Sequence, residues 1–246
     1  MTARSFAERL CSLASLSDED VASIQAMPWS VVRVRRARDI LSLGDRPDYV
    51  YVVETGWAAR YSIRGNGSRR ITGFMLPGDF CGIHAVTSQA MDHAIVALTD
   101  CEVARIPRQA IGDAVADSPA IGQALWRAKL TDEAILRTWL LNSHDAAQAL
   151  AHLLCELHAR TAVIGMANAG RFHAPLTQQH MGDALGLTPV HINRMVKLLR
   201  LQGLAEISNG EVVVPDIEAL RHFCHFSADY LHLPAIGTQH IAQAAA

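Results

Sequence analysis

Long apolar runs are missing from this chain. Nothing in its 246 residues approaches the ~18–20 consecutive apolar positions that a membrane span requires. The opening MTARSFAERL also lacks the charged-then-apolar profile of an export signal. The expectation is a cytoplasmic protein with no membrane partner. Cysteine is sparse: Cys11, Cys81, Cys101, Cys155 and Cys224 are scattered with no CxxC, which excludes a readable disulfide framework or thiolate cluster. No Gly-rich phosphate loop, paired-carboxylate motif or nucleophile–base signature occurs, so an enzyme has no support. Net charge is also nearly absent, at -2. Taken alone, that value argues against a partner as anionic as nucleic acid.

Histidine is plentiful, with twelve. Its tightest groupings are His152-x-x-Cys155-x-x-His158 and His222-x-Cys224-His225. At about 100° per residue the first group spans roughly 200° of a helix, so its ends diverge and one ion could not reach all three. Solvated or core histidines are the expectation, with no metal ligands assigned.

Hydrophobic content of 50% and charged content of 19% describe an ordinary folded protein of a length that accommodates two modest domains. Between residues 30 and 107 the chain consists of short alternating or apolar runs. Gly44, Gly56, Gly67 and Gly78 punctuate them with the rhythm of turns in an all-β roll. RGNGS at 64–68 is a hairpin-turn candidate, and a helical lead-in precedes the roll around 5–26. Arg33, Arg35, Arg36 and Arg38 alternate with Val32 and Val34 as the solvated face of a strand does. Ser118-Pro119 reads as a helix cap and first-turn proline. A seam then steps by fours and threes through Ile121, Leu125, Ala128, Asp132, Ile135, Trp139 and Asn142. That spacing suits a partner helix, and the expectation is a dimerisation face built on Ile121, Leu125, Ala128, Ile135 and Trp139. A helix packed on its own β-roll shows the same pattern, and Asp132 favours that alternative locally. A hinge is expected at 142–145, where Asp145 and Gln148 resemble a new capping box.

Beyond the hinge, DAAQALAHLLCELHART is followed by QQHMGDALGLTPVHINRMVKLL and by GLAEISNGEVVVP, in which Asn209-Gly210 is a strong hairpin signal. Helix, helix-turn-helix and two-stranded wing make a winged-helix layout. The expected division is a β-roll sensor domain over 1–117, a dimerisation helix and hinge over 118–144, and a winged-helix DNA-binding domain with a C-terminal tail over 145–246. The fold class is α+β.

The helix-turn-helix meets each steric requirement in turn. Gly182 falls where two helices press together and Gly186 where the turn needs a left-handed backbone, while Met181, Leu185, Leu187, Ile192 and Met195 fall on inward positions. Thr188 caps the second helix ahead of Pro189, leaving free N–H groups for a phosphate. Val190, His191, Asn193, Arg194 and Lys197 share its outward side. From 171 to 203 stand Arg171, Arg194, Lys197 and Arg200 against a single acid, Asp183. Charge is segregated, and segregation favours nucleic acid.

Through LPGDFCG, CEVARIP, the long helix and LTQQHMGDALGLTPVHINRMVKLLRLQGL, nearly the whole chain resembles the Crp/Fnr family (cAMP receptor and fumarate-nitrate regulators) of bacterial transcription factors, in its alphaproteobacterial form. The resemblance implies a cyclic-nucleotide-binding-like β-roll of jelly-roll type and a homodimer on a roughly palindromic double-stranded DNA site, with RNA polymerase as partner. It implies base reading by Arg194 at guanine and by Asn193, with Val190 in place of the family's glutamate and His191 taking a polar role. Thr177, Gln178, Gln179, Thr188 and Lys197 then meet the DNA backbone. At the positions that hold cAMP in responsive members stand Ile83, Met91 and Asp92, so no cAMP regulation is expected. With only Cys11 ahead of Cys81, a cluster-type oxygen sensor is not expected either. His84 lies five residues after Asp79, as does a haem-ligating histidine of the carbon-monoxide-sensing branch. His84 and Cys81 are therefore the effector candidates, although no cofactor is the expectation. The alternative function is a nucleotide- or haem-binding sensory module that acts through a partner protein.

Overall fold

The computed structural model describes residues 4–87, 89–142 and 145–233. Two short helices open the chain, α1 (Arg4–Cys11) and α2 (Asp18–Gln25). Eight strands follow: β1 (Ser30–Val34), β2 (Asp39–Leu41), β3 (Tyr49–Thr55), β4 (Ala58–Ile63), β5 (Arg69–Met75), β6 (Phe80–Cys81), β7 (Ala94–Ala97) and β8 (Cys101–Pro107). They form two four-stranded antiparallel sheets in the orders β1-β8-β3-β6 and β2-β7-β4-β5, a jelly-roll arrangement. RGNGS turns β4 into β5, with Gly67 at φ +81° and the Asn66 side chain accepting from the Ser68 N–H at 3.0 Å. Register sets Arg33 opposite Glu102, and the two pair at 3.1 Å on the open face. Val32 and Val34 pack inward.

Helices α3 (Arg108–Asp117) and α4 (Pro119–Leu141) lead to α5 (Ala146–Val163), which Asp145 caps by accepting from the Gln148 N–H at 2.8 Å. The chain continues through β9 (Ala167–Asn168), β10 (Arg171–His173), α6 (Gln178–Leu185), α7 (Pro189–Leu201), β11 (Glu206–Ser208), β12 (Glu211–Val213) and α8 (Ile217–Phe223). The wing is a four-stranded sheet, β11-β12-β10-β9, rather than two strands. Sequence pattern missed β9 and β10 because they are two and three residues long and turn through Ala169, a non-glycine at φ +45°. Ser143 and His144, within the expected hinge, lie outside the described residues, as does the Ala-rich tail.

The α4 seam requires a correction. Ile121, Leu125, Ala128, Ile135 and Trp139 are between 2% and 7% exposed, so they are covered by their own chain and are unavailable to a second copy. Ile121, Leu125 and Ala128 join the core formed with α1 and the roll. Ile135 and Trp139 join the core shared by the roll and the C-terminal helical region. Asp132 explains the direction of the seam. It meets Arg60 of β4 at 2.8 Å and Lys129 at 2.9 Å. Burial opposes its ionisation, but these cations outweigh it and hold the carboxyl down at about 2. A 3-4 repeat fixes which helix face is apolar, not which surface covers it.

The shared core runs from Trp57, Ile71 and Phe74 through α5 to Phe172, Ile192 and Leu220. Within it lies an ionic hub. Arg160 of α5 donates to Asp79 Oδ2 and to the Phe74 carbonyl, both at 2.8 Å, and pairs with Glu156 at 3.2 Å. Glu156 is fully buried and also accepts from Trp139 Nε1 at 2.7 Å and Tyr230 O–H at 3.1 Å. Burial pushes its carboxyl up from the ordinary value, and Arg160 with these two donors opposes that shift. Arg9 reaches the other oxygen of Asp79 at 3.3 Å.

The first histidine group disperses, whereas in the second the His222 and His225 rings meet edge to face at 6.4 Å. His152 stacks on Tyr230 at 5.8 Å, Cys155 faces Cys224 with sulfurs 3.9 Å apart, and His158 packs edge-on against Phe172. Burial holds His152 down at about 4, well below an unfolded histidine at about 6.5. The unfolded chain therefore takes up a proton first, and stability is lost as pH falls from about 6.5 to about 4, by on the order of 3 kcal/mol from this group. Urea unfolding across that window is expected to show the loss, and His152→Phe, which keeps the stacking ring, is expected to remove this group's share of it.

Candidate nucleic-acid interface

Two consecutive helices make the reading head, and their angle is set by glycine. A Cβ on Gly182 would stand 2.5 Å from the Leu187 carbonyl, so no other residue permits this crossing, and Gly186 ends α6 at φ +74°. Met181 and Ile192 are buried between the helices. Each helix is capped by threonine. The Thr177 hydroxyl accepts from the His180 N–H at 3.1 Å and the Thr188 hydroxyl from the His191 N–H at 3.2 Å. Each hydroxyl keeps its own proton for an acceptor outside, such as a phosphate oxygen. His180 returns the α6 cap by accepting at Nδ1 from the Thr177 N–H. Burial, then the charge of Arg69, holds its imidazole down at about 4 and hence neutral.

On α7, Val190 is 64% exposed, His191, Arg194 and Lys197 are exposed, and Asn193 is half-buried. Thr177, Gln179 and Thr188 are exposed and Gln178 is half-buried. Gln179 is partly committed, donating to Asp183 at 2.6 Å. Arg194 and Lys197 form no ion pair among the described residues, which leaves their donors available. Asp183, the single acid between 171 and 203, is instead removed from the face. It is buried and bound by Arg69 of β5 at 2.7 Å. That contact also seats α6 on the β4–β5 hairpin. What remains outward is cationic or neutral, able to hold phosphates and to present a guanidinium to base edges.

The effector candidates separate. Cys81 sits in an apolar cluster with Leu41, Met75, Met91 and Ile95, and burial pushes its thiol up to about 12. His84 instead turns to Asp92 and His93 at the mouth of the roll. The hydrogen bond from His93 holds the Asp92 carboxyl below its ordinary value, and burial lowers His93. Met91 is buried, Ile83 packs on the roll core and Asp92 is 78% exposed at its side chain, so no cation faces a phosphate at these three positions. Sequence reading missed Arg69, whose link to Asp183 spans 114 residues, and His93. It also missed Tyr230, which donates to Glu156.

Residues 31–118 match the cyclic nucleotide-binding domain, and residues 148–223 match the Crp-like helix-turn-helix domain. The transcriptional activator protein FnrL of Cereibacter sphaeroides is 27% identical over 213 residues, covering 84% of this chain and 85% of that protein. The fumarate and nitrate reduction regulatory protein of Salmonella typhi is 24% identical over 217 residues, covering 86% and 85%. Among solved structures, FixK2 from Bradyrhizobium japonicum superposes with a TM-score of 0.72 at 25% identity, over 82% of this chain and all of that one.

Gly182→Ala is expected to force α6 and α7 apart and to cost about 1–3 kcal/mol, the usual range for overpacking a tight contact. Thermal unfolding checks the loss, and DNA binding is expected to fall with it.

Proposed function

The chain belongs to the Crp/Fnr family of transcriptional regulators, and from that premise we propose that it acts as a homodimer on a palindromic DNA site, its two α7 helices entering successive major grooves about 34 Å apart. It is a regulator and not an enzyme. The observation that carries the reading is the uncommitted guanidinium of Arg194 on an exposed, capped helix, with the single acid of residues 171–203, Asp183, tied off by Arg69.

In this reading Arg194 reads guanine with two parallel N–H bonds, a geometry lysine cannot reproduce. Asn193 and His191 make the remaining polar base contacts, and Val190 offers an apolar contact to a thymine methyl. Thr177, Gln178, Gln179, Thr188 and Lys197 hold the phosphates. Among the described residues no helix is long and apolar enough to cross a membrane, and a DNA target places the protein in the cytoplasm with RNA polymerase as its partner.

The dimer face is assigned to the side of α4 opposite the buried seam. At about 100° per residue Trp126, Leu130, Glu133 and Arg137 share that side. Trp126 is 67% and Leu130 41% exposed, and Glu133 and Arg137 pair along the helix. An apolar stripe flanked by charge is what a second helix covers. Cyclic AMP is not the signal in this reading: Asp92 would repel the phosphate that an arginine holds elsewhere in the family.

Arg194→Ala is expected to cost about 1–3 kcal/mol on the specific site and to leave the fold intact, whereas Lys197→Ala weakens every duplex alike and lowers the salt slope by about 1. Selection from a random duplex pool followed by titration checks both. Equal retention of specific and random DNA by the Arg194 variant would instead favour a sensory module acting through a partner protein. Trp126→Asp is expected to yield monomers in analytical ultracentrifugation.

A further inference from the structure

Between β6 and β7 the chain brings His84 together with the adjacent pair Asp92 and His93, at a spacing that matches no common metal motif. Among the described residues His84, Asp92 and His93 form the one group of three or more His, Cys, Asp or Glu side chains whose donor atoms lie close enough for one ion, all within 4.8 Å of one another. Asp92 Oδ1 stands 2.5 Å from His93 Nδ1 and 3.4 Å from His84 Nε2. We propose that these three residues bind a divalent first-row transition-metal ion, of the zinc or iron(II) class, at the mouth of the β-roll.

The spacing fits the chemistry. Ions of this class hold imidazole nitrogen and carboxylate oxygen at about 2.0–2.2 Å, which sets neighbouring donors roughly 3 Å or more apart. The His84–Asp92 separation already has that length. The Asp92–His93 contact must open by somewhat less than an ångström, and the exposed Asp92 carboxylate can rotate to do so. Two imidazoles with one carboxylate are borderline donors, suited to transition ions rather than to calcium or magnesium, which take all-oxygen sets. Three protein ligands also leave coordination positions open to water or to a small ligand.

The ligands are held in place before any ion arrives. The His84 carbonyl accepts from the Thr87 and Gln89 N–H groups at 3.2 and 3.0 Å, closing the turn behind it. Met91 is buried and clipped to the 44–45 loop by backbone bonds in both directions, Met91 N–H to Asp45 O and Gly44 N–H to Met91 O, each at 2.8 Å. His93 is followed directly by β7. Nδ1 of His84 is buried without a hydrogen-bond partner. A metal on Nε2 fixes the proton on that nitrogen, and with no acceptor behind it the site is expected to bind moderately rather than tightly.

The site also has a route to the long helix. Arg60, whose charge acts on His93, donates to the Phe80 carbonyl at 3.3 Å and pairs with Asp132 of α4. An added dication at His93 would repel that guanidinium. This assignment departs from the sequence expectation of no metal, which rested on the two histidine groups and the absence of CxxC spacing, and it does not depend on the DNA reading.

Cobalt(II) titration of the full-length protein tests it. The wild type is expected to take up one Co(II) per chain, with visible d–d absorption that Zn(II) displaces. His84→Ala/His93→Ala is expected to lose the band, and Asp92→Ala, which removes an exposed side chain and cannot disturb the core, to weaken uptake. Circular dichroism establishes that each variant is folded. Absence of Co(II) uptake by the wild type, or uptake of the same strength in the folded His84→Ala/His93→Ala and Asp92→Ala variants, overturns the assignment.

Discussion

The arrangement depends on a buried charge cluster in which Arg160 stands between two acids. One of them, Asp79, belongs to the turn between β5 and β6 and also accepts from the Leu76 N–H at 2.9 Å. The other, Glu156, belongs to the same helix as Arg160 and gathers Trp139 from the long helix and Tyr230 from the C-terminal segment. Four parts of the chain, roll, α4, α5 and the segment after α8, are thus tied to one guanidinium. Such a cluster contributes less to net stability than its bond count suggests, because each ion loses its hydration on burial. Its effect is on geometry. Removing any member leaves a charge or a donor stranded in an apolar core, so alternative placements of the reader against the roll are disfavoured. Arg69 and Asp183 add a second attachment at the edge of α6.

That geometry gives the reading helix its meaning. An isolated helix-turn-helix presents the same side chains, but in the homodimer proposed above a palindromic site is read only when two copies hold their helices at a fixed spacing and tilt. Ile192 of α7 belongs to one packed core with Ile135 and Trp139 of α4. A change at the mouth of the roll can reach the same helix through Arg60 and Asp132, which meet at 2.8 Å. Any signal that acts by this path must bind the two arrangements with different affinity.

The parts of the fold legible in the sequence were those governed by a single residue's steric limits. Gly182 at the helix crossing, Gly186 at the turn, Asn209-Gly210 in the wing and the Thr188 cap each carry their structural reason locally. The α4 seam was misread because 3-4 spacing is silent about what covers it, although Asp132 and the indole nitrogen of Trp139, both with partners inside the chain, point inward. Contacts made only by tertiary folding left no trace. Arg160 and Asp79 are 81 positions apart and Tyr230 and Glu156 are 74 apart. The His84, Asp92 and His93 group escaped because its spacing matches neither a helix face nor a strand face. The basic patch was visible only as a local excess, and its one acid could not be seen to face away until Arg69 was placed beside it.

The most direct measurement is the unfolding free energy of Arg160→Met in urea against the wild type. Loss of a guanidinium that offsets the fully buried Glu156 and the half-buried Asp79 is predicted to cost about 3–5 kcal/mol. A loss below about 1 kcal/mol, the size expected of an exposed pair, would contradict the claim that this cluster holds the reader to the roll.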